Sequence, residues 1–259
     1  MIDSLNISAT GMQVQQTAID NIANNLANVN TTGFKKSRIN FEDLVYRPLT
    51  NATGVIGNAD ANNPVGTGAA IANIDKVFTD GDLTATQRSL DLAIQGNGFF
   101  ELTLPDGTNA YTRTGSFDID RNGVIVNADG YPLSSFIQVP SDTQEIVIRP
   151  SGDVLVRIPG ENELVSVGDI ELVSFINASG LNPTGDNLYL ATERSGNAIL
   201  NRSDDEGAST VSQGFLEASN VDLTQELTSL LLSQRAYEIN SRILQASDEV
   251  LDTINQLRR

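Results

Sequence analysis

Residues 223–254, LTQELTSLLLSQRAYEINSRILQASDEVLDTI, decide how this chain is read. Leu223, Leu230, Tyr237, Leu244 and Leu251 recur every seven residues, Ile254 extends the line, and no proline or glycine interrupts the sequence from Ser219 to Arg259. A strict seven-residue apolar repeat marks a narrow seam between helices. The spacing predicts one helix of about 35 residues, roughly 53 Å long at the α-helical rise, with Ser219-Asn220-Val221-Asp222 resembling a capping box at its start. The other end of the chain answers it. Leu5, Met12, Ile19 and Leu26 also recur every seven residues, and Ile22 and Val29 add to the stripe. A helix from about Leu5 to Val29, stopped by Gly33, follows from that pattern. Its many asparagine, threonine and serine residues are weak helix formers, so it is expected to fray in a free monomer.

Between these ends the periodicity changes. Phe100-Glu101-Leu102-Thr103-Leu104 alternates and stops at Pro105-Asp106-Gly107, Phe117-Asp118-Ile119 stops at Asn122-Gly123, and Val124-Ile125-Val126 stops at Asp129-Gly130. Alternation of period two punctuated by turn residues predicts short antiparallel strands, and further runs follow at 146–149, 154–158, 164–167 and 170–175. The expected fold class is α+β: paired, coiled-coil-like long helices from the N- and C-terminal ends, with a central antiparallel β domain joined to them by extended linkers. The expected boundaries are 1–33 with 219–259 for the helical assembly domain, 34–70 for an extended connector, 71–190 for the β domain and 191–218 for a return linker.

Composition narrows the chemistry. The 259 residues include no cysteine and no histidine, which removes disulfides, thiol nucleophiles and the usual neutral-pH proton shuttle. A formal charge of −17 argues against a nucleic-acid partner, because that affinity rests on lysine and arginine displacing counterions. The charge is unevenly placed: residues 1–40 sum to +1, residues 220–259 to −2, and the middle carries −16. Near-neutral ends with apolar seams suit close packing against other copies, while an acidic middle keeps the molecule in solution. The opening residues lack a basic start and an apolar run, so no cleaved signal peptide is expected, and Leu230-Leu231-Leu232 is far too short to span a bilayer.

Several motifs invite a chemical reading and have plainer ones. Asp118, Asp120, Asn122 and Asp129 match much of a calcium loop, but alternating residues flank it where helices are needed, and a hairpin with a type I′ Asn122-Gly123 turn accounts for the same residues. Gly96-Asn97-Gly98 is half of a dinucleotide fingerprint without the following helix, and a tight bend before Phe99 explains it. Asp118 with Asp120, or Glu161 with Glu163, could form a hydrolase pair. Among thirty-three acids such pairs arise by chance. No catalytic, cofactor-binding or metal-binding residue is therefore assigned. The heptad lines could serve only as core within one monomer, yet a longer helix overhanging its mate leaves apolar surface that favours self-association.

Longer stretches carry a resemblance. Ala23-Asn24-Asn25-Leu26-Ala27-Asn28-Val29-Asn30-Thr31-Thr32-Gly33-Phe34-Lys35 resembles the opening signature of the bacterial flagellar basal-body rod and hook family. Ser233-Gln234-Arg235-Ala236-Tyr237-Glu238-Ile239-Asn240 is similar to the family's closing signature, and 93–100 with 111–117 to its central domain. Length and central segments look most like the distal rod branch, with the proximal rod subunit as the alternative.

The resemblance implies a structural subunit that forms a hollow helical homo-oligomer, transmits torque from motor to hook, and contacts proximal rod and hook subunits. It also implies bushing rings where an outer membrane is present. Uncleaved passage through the type III export apparatus to a periplasmic rod, without membrane insertion, completes the expectation. Residues 50–70 lie in the connector that such a family would use to bridge neighbouring subunits. Two other classes compete: a carboxylate-dependent secreted hydrolase and a secreted adhesin.

Overall fold

The computed structural model describes residues 2–44, 47–48, 64–160, 163–201 and 209–257. Low-complexity residues 50–63 of the expected connector, and Glu161 of one candidate acid pair, lie outside these. The chain divides into two compact units, a helical unit of Met1–Ala27, Ser37–Asp75 and Asp222–Arg259, and a β unit of Asn28–Lys36 and Lys76–Val221.

In the helical unit, α1 spans Ile2–Ala27 and α2 spans Leu223–Leu257. The cap of α2 is Asp222 alone: its Oδ1 accepts the Thr224 N–H at 2.8 Å and the Gln225 N–H at 3.1 Å. These are two of the donors a helix start leaves unpaired, and the carboxylate also complements the helix dipole. Ser219 is not part of the cap, because its Oγ accepts the Val221 N–H instead. At the other end, α1 stops at Ala27, two residues short of Val29. The turn that closes there donates Thr31 N–H to Asn28 O at 3.1 Å. Ser37–Asp43 and Ala69–Lys76 form a two-stranded ladder, whose polar face joins Asn40 Nδ2 to Asn73 Oδ1 at 2.7 Å and to Asp75 Oδ2 at 2.8 Å. Part of the expected connector is thus paired strand.

The β unit is built on a six-stranded antiparallel sheet in the order 182–185, 188–190, 109–112, 99–103, 172–174, 199–201. Side chains alternate faces along a strand, and adjacent Phe99 and Phe100 divide accordingly. Phe100 joins Leu102, Phe117, Ile125 and Val154 in the larger core cluster, whereas Phe99 joins Tyr111, Val173, Phe175 and Tyr189 in an aromatic cluster on the other face. Both faces are therefore covered, and each fully buried phenylalanine contributes about 1.5–3 kcal/mol of transfer free energy. A three-stranded sheet (145–148, 153–157, 165–169) and three two-stranded pairs complete the unit.

Two of those pairs use residues read from the sequence as linker. Thr210–Gln213 pairs with Leu92–Gln95, and Phe215–Glu217 pairs with Leu83–Ala85. The hairpin joining Phe117–Ile119 to Ile125–Asn127 also departs from expectation. Its turn donates Gly123 N–H to Asp120 O at 2.8 Å, and only Gly123, at φ +81°, is left-handed. A type I′ turn requires positive φ at both central residues, so this is a type I turn followed by a left-handed glycine.

Candidate assembly surface and buried clasp

The two helices run antiparallel. Asn25 Nδ2 reaches Glu226 Oε2 at 3.4 Å, and fourteen residues away on each helix a Cβ on Gly11 would lie 2.9 Å from Asn240 Nδ2. Extending this register leaves the last turns of α2 beyond the first residues of α1. The most buried positions of α1 are Ser8, Val14, Ala18, Ile22 and Asn25. Their mates on α2 are Glu226 and the half-buried Leu230, Ser233, Ala236, Asn240, Leu244 and Leu251.

The expected stripe of α1 lies beside that seam rather than on it. Leu5, Met12, Ile19 and Leu26 are half-buried, while the centre line one residue earlier holds the small or polar Gly11, Ala18 and Asn25. Val29 is not on α1 at all; it belongs to the β unit, where it lines a small cavity with Thr84, Leu216 and Ala218. Leu223, Tyr237 and Ile254 are exposed.

A second apolar line on α2 lies, apart from Ile254, at residues outside the expected heptad positions. Leu232 and Ile239 are seven residues apart, as are Ile243, Val250 and Leu257, and together with Ile254 these side chains are 43–82% exposed. At 3.6 residues per turn this line lies about a third of a turn from the α1-facing seam. A helix with two apolar lines has more apolar surface than a single partner can cover. A seven-residue count through Leu223 and Leu230 passes over this line, because Leu232, Ile239 and Ile243 fall at other heptad positions. The closing signature sits here, with Ala236 half-buried and Gln234, Arg235, Tyr237 and Glu238 exposed; Arg235 pairs with Glu238 at 2.9 Å.

The opening signature divides between the units. In the helical unit, Asn24 and Ala27 are exposed and Leu26 is half-buried, whereas Asn25 is 1% exposed. Asn28, Thr32, Gly33, Phe34 and Lys35 lie in the β unit, where residues 28–36 form a strap. Gly33, at φ +69°, donates its N–H to Glu217 O at 2.8 Å; a Cβ there would lie 2.8 Å from the Thr114 backbone. The Phe34 ring lies under the Lys76 ammonium, 4.5 Å from its centroid. Lys35 Nζ donates to Glu217 Oε1 at 2.6 Å and to Thr79 O at 2.7 Å, with both charged side chains sealed from solvent. Burial pulls the Lys35 ammonium below the usual lysine range, and the adjacent Glu217 carboxylate opposes that shift.

The acids of the calcium-like loop are engaged elsewhere. Asp118 pairs with Arg88 at 2.7 Å, Asp120 accepts from Asn122 and Asp129 from Asn127. No cluster of three metal-ligating side chains occurs among the described residues, and no described helix is long and apolar enough to cross a membrane.

Three family models match the chain. That of the flagella basal body rod protein covers residues 5–35, that of the flagellar hook protein FlgE/F/G D1 domain covers 93–156, and that of the flagellar basal body rod FlgEFG protein C-terminal region covers 212–257. The chain is 43% identical over 261 residues to the flagellar basal-body rod protein FlgG of Buchnera aphidicola subsp. Schizaphis graminum, covering 99% of this chain and 100% of that protein. It is 43% identical over 264 residues to FlgG of Borreliella burgdorferi, with 100% of each chain covered. Similarity to the flagellar hook protein FlgE of the same organism is 38% over 175 residues, covering 66% of this chain and 38% of that one.

Proposed function

Because this chain belongs to the bacterial flagellar basal-body rod family, whose members are structural proteins and not enzymes, we propose that its helical unit builds a distal rod by packing against copies of itself. The observation that carries this reading is the exposed second stripe of α2. One apolar line is covered by α1 within the chain; the other, Leu232, Ile239, Ile243, Val250, Ile254 and Leu257, needs cover from outside it. Ile22, Leu230 and Leu244 lie on the seam of the antiparallel pair, with the half-buried Leu5, Met12, Ile19, Leu26 and Leu251 flanking it; Ile254 belongs to the outward stripe, and the exposed Leu223 and Tyr237 lie on another side of α2. A contact between different faces of identical subunits propagates as a helix when its rotation does not close. Paired helices lying along the resulting tube resist twist, which is what transmission of torque to a hook requires.

The family setting extends the proposal. The tube would join proximal rod and hook subunits at its ends, lie in the periplasm within bushing rings where an outer membrane exists, and receive subunits exported through the type III apparatus without signal cleavage. A chain without cysteine suits passage into an oxidising compartment.

The test replaces Ile239 and Ile243 together by aspartate in the full-length protein. Wild-type protein at high concentration should give straight tubes in electron micrographs, and the variant should sediment as a monomer with unchanged circular dichroism. Tubes of normal abundance from the variant would place the contact on another face.

A further inference from the structure

Lys35, Asp80, Arg113 and Glu217 converge within the β unit although they are up to 182 residues apart in sequence. Arg113 Nη1 lies 3.5 Å from Asp80 Oδ1 and 3.5 Å from Glu217 Oε2. Its Nη2 donates to Gly96 O at 2.7 Å, and its guanidinium stacks on the Phe99 ring at 5.1 Å. Glu217 Oε1 is further held by the Gly81 N–H at 2.8 Å. Lys35, Arg113 and Glu217 are sealed from solvent whereas the Asp80 side chain is 54% exposed, so within this group Glu217 is the buried carboxylate that faces both buried cations. Without Lys35, Glu217 Oε1 loses its 2.6 Å charged donor and keeps only the Gly81 N–H, and Thr79 O loses its 2.7 Å donor, so a buried ion pair is broken, which is costly in a protein interior.

Both groups that accept from the ammonium come from outside the strap: Thr79 O and the Glu217 carboxylate, which is itself held by the Gly81 N–H and faced by Arg113. The strap is otherwise held by a few main-chain bonds. They include Gly33 N–H to Glu217 O, Lys36 N–H to Asn220 Oδ1 at 2.8 Å and Val77 N–H to Lys36 O at 2.9 Å, with Lys76 Nζ donating to Lys35 O at 3.0 Å and Thr32 O accepting from Asn187 Nδ2 at 3.3 Å and Thr114 Oγ1 at 3.4 Å. The acceptors for Lys35 are one carbonyl and one carboxylate oxygen, converging on a point. That geometry suits a compact ammonium and offers no parallel pair of acceptors to a planar guanidinium.

We propose that residues 28–36 are a separable latch and that Thr79 O with Glu217 forms a preformed socket for a primary ammonium, which Lys35 fills as a built-in ligand. Seating that ammonium ties the segment following α1 to the segment preceding α2. This inference does not depend on the assembly reading, because it concerns one chain at any concentration.

The experiment uses full-length Lys35→Ala and amide hydrogen exchange. Exchange at Gly33, Lys36 and Gly81 should quicken about a hundred-fold or more, the scale set by breaking a buried pair, while Phe100 and Leu102 in the core keep their protection. Propylammonium chloride should restore protection at those three amides, and propanol at the same concentration should not. Equal rescue by propanol would mean simple cavity filling and overturns the socket, as does rescue by neither. Should the variant fail to fold, the wild-type protein decides: latch amides that open more readily than the core support a separable latch, and latch amides that open only with global unfolding overturn it.

Discussion

Asn25 and Ser37 exchange two hydrogen bonds of 2.9 Å, Ser37 N–H donating to Asn25 Oδ1 and Asn25 Nδ2 donating to Ser37 O. A side chain on α1 thereby completes the main chain of the strand that follows, and the same Nδ2 reaches Glu226 on α2. A polar group at the centre of an apolar seam fixes register, since any slip strands it without partners. Asn25→Ala should cost about 1–3 kcal/mol, the range for a buried group left unpaired, read as a shift in the urea midpoint of the helical unit.

Asn25→Asp should be worse than alanine at neutral pH. The new carboxylate keeps the acceptor for Ser37 N–H but loses the donor to Ser37 O, and it stands against Glu226 where the amide donated. Like charges at short range disfavour the ionised forms. The deficit relative to wild type should therefore shrink as pH falls and the introduced carboxylate protonates. Thermal melts at a series of pH values check this, and a deficit that stays constant on acidification would contradict it.

The sequence showed some of these features clearly and hid others for identifiable reasons. The strand at Phe99–Thr103 was legible because its alternation is bounded by Pro105-Asp106-Gly107, and α2 because nothing breaks it from Leu223 to Leu257. The seam of α1 was displaced because periodicity counts large apolar side chains, whereas the closest approach is made by Gly11, Ala18 and Asn25, which such a count passes over. Thr210–Gln213 and Phe215–Glu217 resemble linker because they are short, adjoin a polar, glycine-containing stretch and have partners more than a hundred residues away. The local sequence marks Lys35 only as part of a signature. Its partner Glu217 lies in another stretch of the sequence, and no local pattern links them.

Gly115 illustrates how a signature glycine can be explained by space alone. A Cβ there would lie 1.5 Å from Leu92 O, and Gly115 O accepts the Leu92 N–H at 2.9 Å, so the two backbones are in direct contact. Gly115→Ala must push the chain off the Leu92–Gln95 strand and should destabilise the β unit by several kcal/mol, at the upper end for single substitutions, of about 4 kcal/mol. Gly107, with open space around its Cβ position, is the control. Alanine there should cost only about 1 kcal/mol, for its left-handed backbone. Paired denaturation curves distinguish the two.

Alkaline unfolding should be driven by two tyrosines of the aromatic cluster. Burial pushes the Tyr111 phenol up to about 12, helped by the Glu101 carboxylate that accepts its hydrogen bond, and burial pushes Tyr189 up to about 12 against the opposing charge of Arg113. Between pH 10 and 12 the folded phenols keep protons that the unfolded chain has released, so the unfolded state binds fewer protons and stability falls as pH rises. Each tyrosine accounts for at most about 2–3 kcal/mol across that window. Lys35 and Lys76, both lowered chiefly by burial, act with the opposite sign up to the normal lysine value of 10.5, so the decline should steepen above that point. Tyrosinate absorbance should rise together with loss of structure, and Tyr111→Phe should shift the transition to higher pH.

Salt should promote assembly of this protein. The formal charge of −17 resides almost wholly between the helical segments, so neighbouring copies bring like-charged β units together whenever their helices pack. Unscreened repulsion of that kind opposes association, and at an ionic strength near physiological it is damped beyond about 8 Å. Apolar association through the exposed Ile239, Ile243 and Val250, as proposed above, would not be weakened by moderate salt. The critical concentration for tube formation should thus fall as sodium chloride rises from roughly 0.01 to 0.15 M, the range over which the screening length contracts from about 30 to 8 Å, and level off above it. Light scattering at fixed protein concentration measures it. A critical concentration that rises with salt would mean that ion pairs between copies, rather than the α2 stripe, hold the assembly together.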